Sequence, residues 1–357
     1  VIILGIFILA CKPKPGQEAI GVHEELPLKI NDIPKIDVHA HYKYTRTYLP
    51  SFFKKWNMQG VLVDVPKELP TGIKRSWNEY VANSHANKEL FFLCTSMIGA
   101  HIDDPDFAEK TIERLKGEID AGARMMKVWK NFGMVTRDAS GNFIQIDDER
   151  LQPIWDFLKD RNIPVMAHIG EPVQAWRPLN DPNNPHYGYY TQNPEYHAFK
   201  HPEIPLYETI ISARDRWIES NPELQILCAH MGSMSHDVDM IAARLDKFQN
   251  INVEPAARFG DLAGQDSRKV KAFFEKYQDR IFFGTDYGNR NKESELTPEE
   301  LKEEQQNLDK NYYLLWNYLS SNDSLEIRAQ KTIGLALSKE ILHKVYYQNA
   351  ANFLKLE

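Results

Sequence analysis

The stretch Asp37-Val38-His39-Ala40-His41 decides how this chain is read. It follows the apolar lead-in Ile33-Pro34-Lys35-Ile36, so it reads as the end of a β-strand. Side chains two apart on a strand point to one face. His39 and His41 therefore project together, which is how two imidazoles meet one metal ion. A lone His-x-His is weak evidence, because core histidines supply many. Partners at later strand ends strengthen it. Ile163-Pro164-Val165-Met166-Ala167 runs into His168, Gln225-Ile226-Leu227-Cys228-Ala229 into His230, and Ile281-Phe282-Phe283-Gly284-Thr285 into Asp286. Five metal-compatible residues at matching ends of four strands are hard to ascribe to chance in a chain with 12 histidines.

These strands belong to a longer alternation. Apolar runs at 35–39, 60–65, 91–98, 123–128, 163–167, 225–229, 251–254 and 280–284 read as eight strands. Amphipathic stretches at 107–121, 151–160, 237–248 and 270–277 read as helices between them. Alternating strand and helix imply a parallel sheet, and eight repeats predict an α/β fold closed as a (β/α)8 TIM barrel. Ligands at the C-terminal strand ends then meet at one mouth. A borderline ion such as Zn²⁺ takes imidazole and carboxylate together, and a catalytic site leaves a position open for water. Residues 171–205, rich in Pro, Asn, Tyr and His, form an insert after the fifth strand and so fall on the catalytic face. Such a loop is either a wall for substrate or a solvated excursion. Residues 289–306 read as a charged loop entering a helix near Pro298, and the remainder to Glu357 reads as C-terminal helices on the barrel's exterior.

With 357 residues, 42% hydrophobic and 26% charged, the chain can bury a large core around one barrel. A net charge of −7 with scattered Lys and Arg argues against a nucleic-acid partner. Val1 to Ala10 is almost wholly apolar and Cys11 follows. That run is too short to span a bilayer and resembles the core of a secretory signal. Ile8-Leu9-Ala10-Cys11 resembles a bacterial lipobox, so 1–11 is expected to be a lipoprotein signal with Cys11 the lipidated residue. Residues 12–32, opening Lys12-Pro13-Lys14-Pro15-Gly16, read as a tether, and 33–357 as the barrel. Lipid on Cys11 would anchor an exported protein at the periplasmic face or outer membrane without spanning it. Cys94 and Cys228 lie in strand-like runs and read as buried, reduced side chains.

The order His-x-His, Lys, His, His, Asp resembles the amidohydrolase superfamily. The local sequences resemble its amidohydrolase-related branch, which includes aminocarboxymuconate semialdehyde decarboxylase. The stretches that carry this are 36–41, 122–128, 164–170, 227–232, 282–288 and the closing Val345-Tyr346-Tyr347-Gln348-Asn349-Ala350-Ala351. The resemblance implies that His39, His41, His168 and Asp286 bind one divalent metal, Zn foremost with Mn or Fe as alternatives. It implies that His230 stands beside the metal as an acid–base or carbonyl-polarising residue. Lys127 ends the fourth strand. In phosphotriesterase-like members a lysine there is carbamylated and bridges two metals; otherwise it is structural or faces substrate.

The expected chemistry is hydrolysis of an amide, ester or lactone by metal-activated water, with Asp286 taking the proton. The alternative within the family is loss of CO₂ with His230 as base. A reading of another class is a non-catalytic surface binding protein. Arg46, Arg177 and Arg258 are candidates to hold a substrate carboxylate. Trp176, His186, Tyr187, Tyr189 and Tyr190 form either an aromatic wall for a sugar-like or aromatic small molecule or the pins that fasten the insert. A homo-oligomer is left open.

Overall fold

Apolar, β-branched runs form eight strands in the computed structural model, which describes residues 28–69 and 72–356. They are β1 (Lys35–Tyr42), β2 (Met58–Val63), β3 (Phe91–Met97), β4 (Ala123–Val128), β5 (Val165–Ala167), β6 (Ile226–Cys228), β7 (Ile251–Val253) and β8 (Tyr287–Asn289). All pair in parallel in the order β8-β1-β2-β3-β4-β5-β6-β7. The segment before β8 closes the ring. Val253 bridges Ile281, the Phe282 amide donates to the Val253 carbonyl at 2.9 Å, and the Val38 amide donates to the Phe283 carbonyl at 3.0 Å. This is the expected (β/α)8 barrel. The expected signal and most of the tether lie outside the described residues.

The barrel's inside is filled by Ile36, Val38, Val61, Val63, Cys94, Met125, Met166, Leu227 and Phe282. Its outside carries the larger apolar cluster shared with the helices. Among these are α1 (Leu49–Trp56), α2 (Trp77–Ala86), α3 (Phe107–Asp120), α4 (Gln152–Asp160), α5 (Tyr207–Ser220), α6 (Val238–Lys247), α7 (Ser267–Lys276) and α8 (Pro298–Ser320). α8 starts where proline and the Thr297–Glu300 capping box predict. Cys94 and Cys228 are buried and free.

Two expectations need correction. The eighth run was placed at 280–284, yet the regular strand is Tyr287–Asn289. Side chains take the ladder's place before it: Asp37 accepts from the Thr285 amide at 3.0 Å and from Thr285 Oγ1 at 2.6 Å. The C-terminal stretch is not all helix. Ser324–Ile327 (β9) and Gln330–Ile333 (β10) form an antiparallel hairpin, turning at Arg328 and Ala329 with φ of 47° and 62°. Neither is the glycine or asparagine that normally betrays such a turn.

Candidate active site

Strand β1 slips register between Asp37 and Ala40. Within the slip, Val38 packs among the inner side chains and His39 follows it directly. Bulges of this kind commonly re-aim a side chain beside a site. His39 Nδ1 lies 2.8 Å from Glu254 Oε1. An ionised carboxylate only accepts, so Nδ1 carries the proton and Nε2 the lone pair. His41 Nδ1 likewise donates to the Val63 carbonyl at 2.9 Å. The two Nε2 atoms face Asp286 Oδ1 at 3.6 Å and 3.0 Å. Acceptors this close need a positive species among them. That, with the imidazole and carboxylate chemistry of the donors, fits a divalent cation.

Donor atoms of His39, His41 and Asp286 all lie within 4.8 Å of one another, as do those of His39, His230 and Glu254. His168 belongs to neither set, but its ring stands 4.3 Å from that of His230. Its buried Nε2 has no hydrogen-bond partner. A buried polar atom left open is costly unless something fills it, which is a second point of fit. Burial, then the Lys127 charge, lowers the His168 pKa well below the usual range. Burial, then His168 and Arg258, does the same to His230. Both imidazoles are thus neutral. Burial opposes ionisation of Asp286, but contact with the His41 and His39 imidazoles and the Lys127 charge outweighs it and holds the carboxyl below its ordinary range. Burial pushes Lys127 down to about 8; its Nζ sits 3.3 Å from His39 Nε2.

His230 follows β6 and opens a run of left-handed residues, His230 to Ser233. Such conformations cost about 1–2 kcal/mol per non-glycine residue. The His230 Nδ1 donates to the Ala256 carbonyl at 2.7 Å, and the His230 amide donates to Glu254 Oε1 at 3.0 Å. Glu254, fully buried after β7, thereby ties His39 and His230 together. Sequence reasoning assigned it no role; its only signal was a carboxylate ending an apolar strand.

The substrate candidates divide. Arg258 is buried, lies 3.7 Å from Glu171 Oε2, and keeps a buried Nε with no partner. Glu171 also pairs with buried Lys130. The Lys130 ammonium donates to the Tyr189 hydroxyl oxygen at 2.6 Å and packs on the Tyr196 ring at 3.6 Å. Arg46, by contrast, is spent on Glu304 through contacts of 2.6 and 3.1 Å. Trp176 donates to the Pro205 carbonyl at 3.0 Å, and His186 grips Asp261 at 2.8 Å; both fasten the insert. Arg177 is exposed and Tyr187 half-buried.

A family model described as Amidohydrolase matches residues 36–356. No curated protein matches by sequence. Among solved structures, the chain is similar to 2,6-dihydroxybenzoate decarboxylase from Rhizobium at 12% identity, covering 91% of this chain and 99% of that one with a TM-score of 0.54. It is also similar to an uncharacterized TIM-barrel protein from Bordetella bronchiseptica at 17% identity, covering 90% and 99% with a TM-score of 0.50. At these identities the likeness speaks for the fold.

Proposed function

Because this chain belongs to the amidohydrolase family, we propose that it hydrolyses an amide, ester or lactone bond in a small carboxylated molecule, using one divalent cation at the barrel mouth. The chain is a metal-dependent enzyme, hydrolytic or decarboxylating in kind. The observation that carries the proposal is the pair of Nε2 atoms facing one carboxylate, each histidine oriented by its own Nδ1–H. Metal-ligating histidines are typically held in this way by carboxylates or carbonyls. The donors would be His39, His41, His168 and Asp286, and Zn²⁺ suits them best. When bound, the ion supplies Lewis acidity and an acidified water.

The chain's own groups do the rest. Asp286, kept ionised, accepts a proton at Oδ1. His230 has its Nδ1–H locked on a carbonyl, so Nε2 presents a lone pair and the ring acts as a base. Arg258 and Lys130 share the single carboxylate of Glu171, which leaves positive charge for a substrate carboxylate. Lys127, readily deprotonated, is chemically able to form a carbamate, but the one-ion form needs none. The sequence of residues 1–11 supports a lipid anchor at Cys11 and an exported enzyme.

The bare Nε2 of His230 also favours a second reading, a decarboxylase with His230 as base. The test is a metal-stripped full-length protein reloaded with Zn²⁺ and offered carboxylated lactones, esters and amides, with CO₂ measured in parallel. Metal-dependent bond cleavage without CO₂ is expected. CO₂ release makes the enzyme a decarboxylase. Protein that takes up no metal from a replete medium overturns both readings.

A further inference from the structure

We infer that Arg214 is a positioning residue that fixes the direction of the His230 ring through a left-handed turn. Residues His230, Met231, Gly232 and Ser233 have φ of 56°, 58°, 59° and 59° in succession. Isolated left-handed residues are ordinary in loops. A full turn of them, three bearing side chains, persists only where its surroundings over-determine it.

Those surroundings are specific. The Met231 amide donates to the Glu254 carbonyl at 2.8 Å, beside the His230 amide on the Glu254 carboxylate. Arg214, buried on α5, donates through Nη1 to the Gly232 carbonyl. Tyr207 OH donates to the Ser233 carbonyl at 3.0 Å, and Ser233 Oγ reaches the Ile169 and Gly170 carbonyls at 3.0 and 2.8 Å. A Cβ on Gly232 would stand 3.0 Å from Arg214 Nη1, so glycine gives both the conformation and the room. Asp215 neutralises the guanidinium at 2.6 Å.

A right-handed turn would carry the Gly232 carbonyl off Arg214 and the His230 amide off Glu254. The imidazole would then leave the Ala256 carbonyl. Among the described residues Arg214 bonds to Gly232, Asp215 and Met234; it acts through the turn. The inference rests on His230 serving the site as proposed above, but its test reads the ring itself and not turnover. An enzyme with another reaction leaves the test intact.

The experiment is proton NMR of the ¹⁵N-histidine-labelled, Zn²⁺-loaded full chain. The His230 Nδ1–H gives a low-field, slowly exchanging signal, identified by its loss in His230→Gln. Arg214→Met is expected to abolish or strongly shift that signal while the His41 Nδ1–H signal, held by Val63, stays. Arg214→Lys, which keeps a donor for the Gly232 carbonyl, is expected to restore it in part. An unchanged His230 signal in folded Arg214→Met overturns the inference. Should that variant not fold, Tyr207→Phe removes one hydroxyl from the same turn and is expected to move the same signal; no movement there overturns the inference equally.

Discussion

Glu254 shows how much of the site hangs on one side chain. It fixes the His39 tautomer through Nδ1 and receives the backbone amide of His230. Glu254→Gln removes the charge while keeping the shape, so metal affinity should fall about 10–100-fold, measured by competition with a chelating dye. His39→Ala should lower metal stoichiometry itself, read by elemental analysis; unchanged stoichiometry would exclude His39 as a ligand. At this scale the strand-end histidines were legible because period-two alternation and strand endings are written in local sequence. Glu254 was not, because a single carboxylate after Ile251-Asn252-Val253 has no spacing to mark it. The partner Arg46 takes in the structure could not be read either, since Glu304 stands 258 positions away.

Elements add a test on the barrel's floor. Lys35, at the start of β1, donates to the Ile33 carbonyl at 2.8 Å and the Trp56 carbonyl at 3.2 Å, with its ammonium 4.8 Å from the Trp316 ring. Burial drives its pKa down to about 7, against the pull of Asp32. Between there and its ordinary value the unfolded chain binds more protons than the folded one, so this group's contribution to stability rises with pH. Lys35→Met lacks that slope. The stability gap between wild type and variant should change in favour of wild type by up to about 1.4 kcal/mol per pH unit from about pH 7 to 9, checked by urea melts. The helices α3, α4, α6 and α7 were legible as periodic runs; α1, α2 and α5 were not read from the sequence. Seven of the eight strands were legible in the same way. The eighth shifted because Asp37 takes the Thr285 amide, and the β9–β10 hairpin escaped notice because its turn uses Arg328 and Ala329.

For the molecule as a whole, an ion shared by strands β1 and β5 and the segment before β8 should act as a clasp. Stripping it with a chelator should lower the melting temperature by several degrees, reversibly on adding Zn²⁺. An ion at a thousandfold over its dissociation constant contributes about 4 kcal/mol. Cys11→Ala should move the protein from the membrane fraction to the soluble one in a bacterial host; unchanged partition would dispose of the lipid anchor. The architecture was legible from the alternation of strand and helix. How its ends are tied was not: Tyr312 of α8 donates to Asp37 at 2.6 Å, and the Asp286 amide donates to the His39 carbonyl at 2.7 Å. That tie has a consequence for biosynthesis. His39 and His41 leave the ribosome early, while their carboxylate partner and the helix that steadies their strand emerge near the finish. On a nascent chain His39 and His41 therefore wait for Asp286 before the donor set can close.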